Sequence, residues 1–498
     1  MARALRVDPA DSVATLLDDV TNGESVSFGD TVITATADIP RGHKVALAPI
    51  AANDAVLKYG FPIGYATGPI AVGAHVHAHN VKTGLEGTLA YRFDPAPTAL
   101  DAATPATFEA PATFEGYVRA DGRVGTRNEI WILSTVGCVA RTAERIAAKS
   151  AKLVGDGIDG VHAFTHPHGC SQLGHDLDGT RTIMASLASH PNAGGVLIVG
   201  LGCEENQIKA LMATIPPERH AMIRTLTTQL SGDEMEEGVA LVAELAALAA
   251  TPRTTVGLDR LVLGVKCGGS DGLSGLTANP LVGRMSDRVT AAGGRTVFTE
   301  VPEMFGAEQM LMNRAADVGI FDRIVTVVND FKQYFIDNGE PVSENPSPGN
   351  VAGGITTLEE KSLGAVQKAG RAPVSDVIAY GEQVTHDGLT MLEAPGNDAV
   401  SSTALAAAGA TVILFTTGRG TPLGFPAPTL KIASNSALAA RKPGWIDFDA
   451  GVVLSGQTMD AAADSLMDLV VATASGQPTK AELNGEREIA LWKTGVTL

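Results

Sequence analysis

What narrows the fold of this 498-residue chain furthest is a repeated unit: a β-type run ends in a glycine- or cysteine-bearing turn, and a helical stretch follows. The four cysteines all stand at such turns, closing EIWILSTVGC at Cys138, VHAFTHPHGC at Cys170, GVLIVGLGC at Cys203 and RLVLGVKC at Cys267. Their gaps are 32, 33 and 64 residues, and a βαβ unit takes roughly 30. This alternation predicts largely parallel sheets. In such a sheet the strand C-termini share one edge, the edge where ligands bind, so several thiols would face one crevice if the strands share a sheet. The alternative is cysteine as a small buried hydrophobe at strand ends.

The unit does not extend over the whole chain. Residues 1–93 are short apolar runs broken by turns (SVSFGD, TVITATADIPRGHKVALAPI, AVLKYGFPIGYATGPIAVGAHVHAH), which predicts a small all-β domain. Residues 94–112, rich in Ala, Pro and Thr without an apolar period, read as a linker. In 113–250, β-type runs at Ile130–Val136, Val161–Thr165 and Gly195–Val199 each lead into a helical stretch, the pattern of an α/β domain. A break at ALAATPRTTVG opens a second α/β domain over 255–498, where LVLGVKC, RTVFTE, RIVTVVND and TVILFTTG read as its β-type runs.

Composition excludes some partners. With 37 basic against 55 acidic side chains the net charge is −18, which opposes binding to phosphate backbones or anionic lipid. No apolar run approaches the roughly 20 residues of a bilayer span, and the N-terminal stretch has acids where a signal peptide has its apolar core. A cytoplasmic protein, with no nucleic-acid and no membrane partner, is expected. Four cysteines without a CxxC pair make no disulfide framework and act, if at all, as thiols or metal ligands.

Several segments carry side chains suited to chemistry. GAHVHAHN sets His75, His77 and His79 in alternation, which on a strand places all three on one face to share a divalent metal or grip a carboxylate; a polar surface strand is the alternative. THPHGCSQLGHD gathers His166, His168, Cys170, Gln172 and His175 in one turn that opens a helix, suited to metal ligation or proton transfer. GLGCEEN has Glu205 where a dinucleotide fingerprint has its third glycine, and no Walker lysine pattern occurs, so no nucleotide cofactor is expected. Arg419, in the glycine-rich TTGRGTPLG, suits a sugar-acid carboxylate; the alternative is an arginine that caps its loop. KCGGSDGLSGLTANP places Cys267, Ser270 and Asp271 where backbone approaches a ligand closely, and TEVPEMFG offers Glu300 and Glu303 after a strand.

On these residues the chain resembles the altronate and galactarate dehydratase family, whose N-terminal unit is an antifreeze-like SAF domain. The likeness runs nearly end to end through GHKVAL, YGFPIGYA, HVHAHN, DGRVGTRNE, GCSQLG, HPNAG, GLGCEENQ, CGGSDGLSGLTANP, TEVPEMFGAEQ, NDFKQYFI, ENPSPGN, PGNDAV, FTTGRGTP and TGVTL. HVHAHN, GCSQLG, DFKQYF and GVTL are nearer to the altronate branch. The resemblance implies a small all-β, β-clip-like SAF domain followed by two α/β domains with largely parallel sheets. It implies a hydro-lyase, a carbon–oxygen lyase of hexuronate catabolism that turns D-altronate into 2-dehydro-3-deoxy-D-gluconate and water. Iron is the implied cofactor, as Fe²⁺ with Mn²⁺ able to substitute, or alternatively an iron–sulfur cluster, since thiolates suit cluster chemistry better than a hard mononuclear site. Cys170, Cys203, Cys267 and Cys138 then become candidate ligands beside His75, His77 and His79. The galactarate branch has no equivalent of the histidine triplet, which would then serve the altronate branch alone.

Dehydrating an aldonate removes the C2 proton beside the carboxylate, expels the C3 hydroxyl and lets the enol become a 2-keto acid. His166 with Glu300 or Lys266 is the expected proton-transfer set. Arg419 and Arg127 are the expected carboxylate donors, with Asn128, Gln172, Ser270 and Asp271 as further substrate contacts. A homo-oligomer, most simply a dimer, is expected. The alternatives are a galactarate or other sugar-acid dehydratase of the same family and, in another class, a catalytically inactive sugar-acid binding protein.

Overall fold

The computed structural model describes residues 1–95, 113–155 and 157–498; most of the expected linker lies outside them. The N-terminal domain is all β. One six-stranded sheet runs in the order Thr31–Thr34, Ser25–Phe28, Ala2–Leu5, Val13–Leu16, Lys44–Ala46, His75–Val76, and a three-stranded sheet joins Ala55–Lys58, Phe61–Ala66 and Val81–Lys82. Val13, Ala46, Val56, Ile63 and Val76 pack into the same core as Leu263, Val265, Leu281 and Leu363 of the C-terminal domain. The N-terminal domain is therefore docked through continuous apolar burial rather than tethered beside its neighbour.

The central sheet is wholly parallel, in the order Gly160–Phe164, Glu129–Ser134, Ala193–Gly200, Ile223–Thr227. Both of its faces are covered. Leu197, Val199, Val242 and Ile146 build one core, and Trp131, Leu133, Ile183 and Ile198 the other, which is why Ala193–Gly200 is buried at every position. Trp131 is fully buried edge-on to Phe164, at 5.0 Å between ring centroids, and donates its indole N–H to Glu129 at 2.8 Å.

The C-terminal sheet is parallel and seven-stranded: Val374–Ile378, Gly388–Leu392, Arg295–Phe298, Val262–Cys267, Val412–Thr417, Thr429–Ala433, Phe448–Asp449. In each sheet the first strand is flanked by the next in sequence on one side and by a later one on the other. That reversal leaves a crevice at the C-terminal edge, between Ser134 and Gly200 in the central domain and between Cys267 and Thr417 in the C-terminal one.

One expected strand is a helix. RIVTVVND lies inside Val318–Asp337, whose buried positions Phe321, Ile324, Val328 and Phe331 recur at three- and four-residue steps. The β-branched run hid a helical period that continues on either side of it. Among the described residues no helix is long and apolar enough to cross a membrane.

Candidate active site and metal centre

Where the N-terminal domain meets the C-terminal domain, His43, His75 and His77 bring three ring nitrogens within 4.8 Å of one another. His43 precedes the strand Lys44–Ala46, which pairs antiparallel with His75–Val76, so the ladder itself sets the first two side by side at 3.0 Å between His43 Nδ1 and His75 Nε2. The expected three-histidine strand face does not form. The strand ends at Val76, and a turn closed by the Asn80 side chain on the His77 N–H carries His77 back so that it stacks on His75 at 5.4 Å. His79 is left exposed, tilted against His75 at 5.2 Å. His43, in GHKVAL, is the member that sequence spacing missed. Burial pushes His75 down to about 3 and His77 down to about 4 and lowers His43. All three are therefore neutral imidazoles at neutral pH, the form that ligates metal. His77 Nδ1 lies 3.1 Å from the Thr356 hydroxyl of the C-terminal domain, a contact that orients the ring.

Beneath the cluster the two domains are joined by buried ions. Glu360 bridges Lys44 and Lys58, each at 2.8 Å and all at most 2% exposed. The two ammoniums hold the carboxylate down to about 2 against its burial. Lys44 also donates to the Gly354 carbonyl at 2.7 Å, and the Gly272 N–H donates to the Gly353 carbonyl at 2.8 Å. Gly272 must lack a side chain, because a Cβ there would sit 2.0 Å from the Gly42 carbonyl oxygen. His43 is thus pressed against the turn that carries Ser270 and Asp271.

That turn lies at the C-terminal domain's crevice. Asp271 is spent on holding it: its carboxylate accepts from Ser274 and Ser434 at 2.8 Å and from Asn435 at 3.0 Å. Ser270 is buried, with its carbonyl taken by Asn350 at 2.8 Å. Both position the loop. Arg419 stands across the crevice on the Gly418–Gly420 turn, where the Gly418 N–H donates to Gly269 at 3.1 Å. Its guanidinium is exposed and has no ion-pair or hydrogen-bond partner among the described residues.

Deeper at the same edge lies a closed ionic network. Cys267 Sγ is 2.9 Å from Lys368 Nζ and 3.1 Å from Glu303. Glu300 meets Lys368 at 2.8 Å and Lys266 at 3.2 Å, Lys266 reaches Asp398 at 2.8 Å, and Lys361 holds Glu303 at 2.7 Å. The Cys267, Glu300 and Glu303 ligand atoms are close enough for an ion, but lysine ammoniums already supply the positive charge a metal would bring. Burial, reinforced by both carboxylates, drives the Cys267 thiol well above its ordinary range, so in this network it stands as a neutral thiol. Lys266 and Glu300 are completely buried, and the adjoining cavity measures only about 10 Å³. Glu300 stands in the left-handed region at φ 74°, strain that the network over-determines. Both hold this edge in shape, and neither is exposed at the crevice.

In the central domain Cys138, in the 3-10 turn Gly137–Val139, and Cys170 and Cys203, on loops, are exposed at the sheet's C-terminal edge. Cys267 is remote in sequence and sits in the other sheet, so the four thiols are not one set. His166 is buried and pushed down to about 4 by burial and by His168; no contact joins it to Lys266 or Glu300, and that expected set is not assembled. Gln172 is buried as well, its side-chain oxygen accepting from the Gly169 N–H at 2.9 Å and from Thr180 at 3.0 Å. Arg127 and Asn128 lie at the opposite end of the sheet. Arg127 is paired with Glu482 at 2.9 and 3.0 Å and donates to the Thr126, Thr473 and Gln477 carbonyls. Asn128 spends its amide on Gly157, Ala249 and Arg119. Neither has a donor left for a substrate, so both readings are corrected to structural roles.

Comparison with known proteins matches three family models in register with these parts: the altronate/galactarate dehydratase SAF domain over 2–84, the D-galactarate dehydratase/altronate hydrolase second domain over 116–250, and the D-galactarate/altronate dehydratase C-terminal domain over 258–497. The chain is 50% identical to the altronate dehydratase of Escherichia coli strain K12, covering 99% of each chain, and 47% identical to that of Bacillus subtilis strain 168, covering all of both. It is 33% identical to the L-threo-forming galactarate dehydratase of E. coli K12, over 95% of this chain and 93% of that one.

Proposed function

The chain belongs to the altronate/galactarate dehydratase family, and from that we propose that it is a hydro-lyase of the altronate branch, converting D-altronate into 2-dehydro-3-deoxy-D-gluconate and water in hexuronate breakdown. The observation that carries this reading is the convergence of His43, His75 and His77 on a seam shared with the Ser270–Gly272 turn, across which Arg419 offers an unpaired guanidinium. Full-length identity higher to the two altronate dehydratases than to the galactarate enzyme supports the choice of substrate.

Three neutral imidazoles suit iron, as Fe²⁺ or with Mn²⁺ in its place; the ion supplies Lewis acidity toward an α-hydroxy acid. The protein's own part is recognition and proton handling. Arg419 takes the substrate carboxylate through its planar fork. Its lack of an ion-pair partner among the described residues means that none of these pairs must break first. His79, the exposed imidazole beside His75, is the proton carrier at the mouth. Asp271, Glu300 and Lys266 hold the crevice in shape. The net charge of −18 fits a cytoplasmic enzyme, which we take to act as a homodimer.

The test is turnover of a panel of hexonates and hexarates, before and after chelation and with Fe²⁺ restored. D-altronate should be preferred, chelation should abolish turnover, and Fe²⁺ should return it. His75→Ala should lose metal and turnover together, and Arg419→Lys should raise KM at least about tenfold while leaving kcat less affected. Full turnover in chelated protein, or in His75→Ala, would overturn the assignment. Preference for galactarate would move the chain to the other branch.

A further inference from the structure

His77 lies just past the end of the strand His75–Val76, so the ladder that sets His43 beside His75 does not fix it. Its backbone is held by Asn80, whose amide accepts from the His77 N–H at 2.9 Å and donates to the His75 carbonyl at 2.9 Å. Those bonds leave the rotation of the ring itself open. That rotation matters for a ligand, because the terminal torsion of an imidazole is broad and roughly two-fold. Half a turn exchanges each nitrogen with a ring carbon, and a carbon cannot ligate.

The ring is pinned from the other domain. His77 Nδ1 lies 3.1 Å from the Thr356 hydroxyl, 279 positions away in sequence. Thr356 is buried, and its N–H donates at 2.8 Å to Glu360, the carboxylate that bridges Lys44 and Lys58. Thr357 caps the wholly buried helix Leu358–Ala365 and donates its hydroxyl to the Ile63 carbonyl. Glu359, in the first turn of that helix, accepts from the Thr83 hydroxyl at 2.9 Å and from the Gly84 N–H at 2.7 Å. The N-terminal domain thus grips the residues on the C-terminal side of Thr356 one after another. Its hydroxyl becomes a fixed point against which the ring settles. With Nδ1 engaged there, Nε2 is the nitrogen left to ligate, since the hydrogen bond at one ring nitrogen decides the part played by the other.

We propose that Thr356 is a positioning residue of the histidine site: by holding Nδ1 it selects Nε2 of His77 as the ligating nitrogen and keeps the ring from turning a carbon toward His43 and His75. The role rests on the reading that the three histidines hold a divalent ion, and it adds that the site is complete only where two domains meet. His43 and His75 are set by the N-terminal domain's own ladder, whereas the third ring is finished by the C-terminal domain. Ion binding and domain docking are then linked, and an ion held more tightly by the docked arrangement favours docking by the same factor.

The test compares Thr356→Val, which keeps the shape and the N–H to Glu360 but loses the hydroxyl, with Thr356→Ser, which keeps the hydroxyl. The full chain competes with a chromophoric chelator for Co²⁺. Losing a partner that orients a ligating histidine costs about 10- to 100-fold in metal affinity, so Thr356→Val should bind Co²⁺ more weakly by that factor while Thr356→Ser stays close to the parent. Hydrogen exchange of Lys44–Ala46 in metal-free protein should match the parent in both variants, which shows the seam closed. Added Co²⁺ should slow that exchange in the parent and do so less in Thr356→Val. Parent affinity in Thr356→Val, equal weakening in Thr356→Ser, or faster metal-free exchange in Thr356→Val would overturn the proposal, the last by making the residue a structural part of the seam. If Co²⁺ binding survives His75→Ala unchanged, the histidine centre itself falls and the positioning role falls with it.

Discussion

Replacing Glu360 by Gln tests whether the N-terminal domain is locked to the C-terminal one by buried charge. The side chain keeps its size and one acceptor, but Lys44 and Lys58 lose the carboxylate each meets at 2.8 Å. Holding Glu360 near 2 instead of 4.5 corresponds to about 3 kcal/mol at neutral pH, and stranding a buried charge by removing its partner costs about 3–5 kcal/mol. At about 1.4 kcal/mol per factor of ten, opening of the seam should rise by two to three orders of magnitude. Hydrogen exchange of Lys44–Ala46 and Ala55–Lys58 measures this directly, since those strands carry the two lysines. The pH dependence has a fixed sign. A depressed carboxylate stabilises the folded seam fully above its unfolded value of 4.5, and that contribution drains away as pH falls toward 2. In Glu360→Gln this acid-side loss should vanish. Exchange in the variant within about threefold of the parent would refute the reasoning, because the apolar core shared by the two domains would then be holding the seam alone.

Arg127→Met should lower the urea midpoint, at a cost of about 3–5 kcal/mol from the stranded Glu482, while the folded fraction keeps the parent KM; a raised KM would restore Arg127 to the substrate site. Gly272→Ala drives a Cβ to 2.0 Å from the Gly42 carbonyl oxygen and should undock the N-terminal domain, read as new proteolytic cuts in residues 1–95 and loss of histidine-bound metal. In metal-free protein, alkylation under native conditions should label Cys138, Cys170 and Cys203 but not the buried Cys267, which should react only in denaturant; native labelling of all four thiols would show that the ionic network around Cys267 opens.

The sequence made the parallel sheets legible because burial on both faces writes itself as continuous apolar runs, and Ala193–Gly200 is buried throughout. It also placed the cysteines at strand ends, which the structure bears out, since that requires only a strand and the turn after it. What it could not supply was pairing. His43 and His75 are joined by the register of two strands 32 positions apart, and nothing in HVHAHN itself names the partner. The strand expected over His75–His79 fails for a local reason: Asn80 turns its side chain onto the His77 N–H and its own N–H onto the His77 carbonyl, an Asx-type closure that competes with the ladder.

The charged residues misled for a related reason: a side chain's role depends on whether its charge is already neutralised, and that is decided by residues far away in sequence. Cys267 reads as a ligand until Lys368, 101 positions later, is found on its sulfur, and Arg127 reads as a carboxylate fork until Glu482, 355 positions later, fills it. Arg419 reads the same way in sequence and is left unpaired among the described residues. The groups free to recognise a ligand are therefore those the fold declines to neutralise. Among the described residues those are the Arg419 guanidinium at the C-terminal crevice, three neutral imidazoles at the seam, and three exposed thiols, with one open atom each on Gln172 and Asn206, at the central crevice. All but the imidazoles stand at the reversal of a parallel sheet, where strands diverge and the backbone cannot close the gap with its own hydrogen bonds.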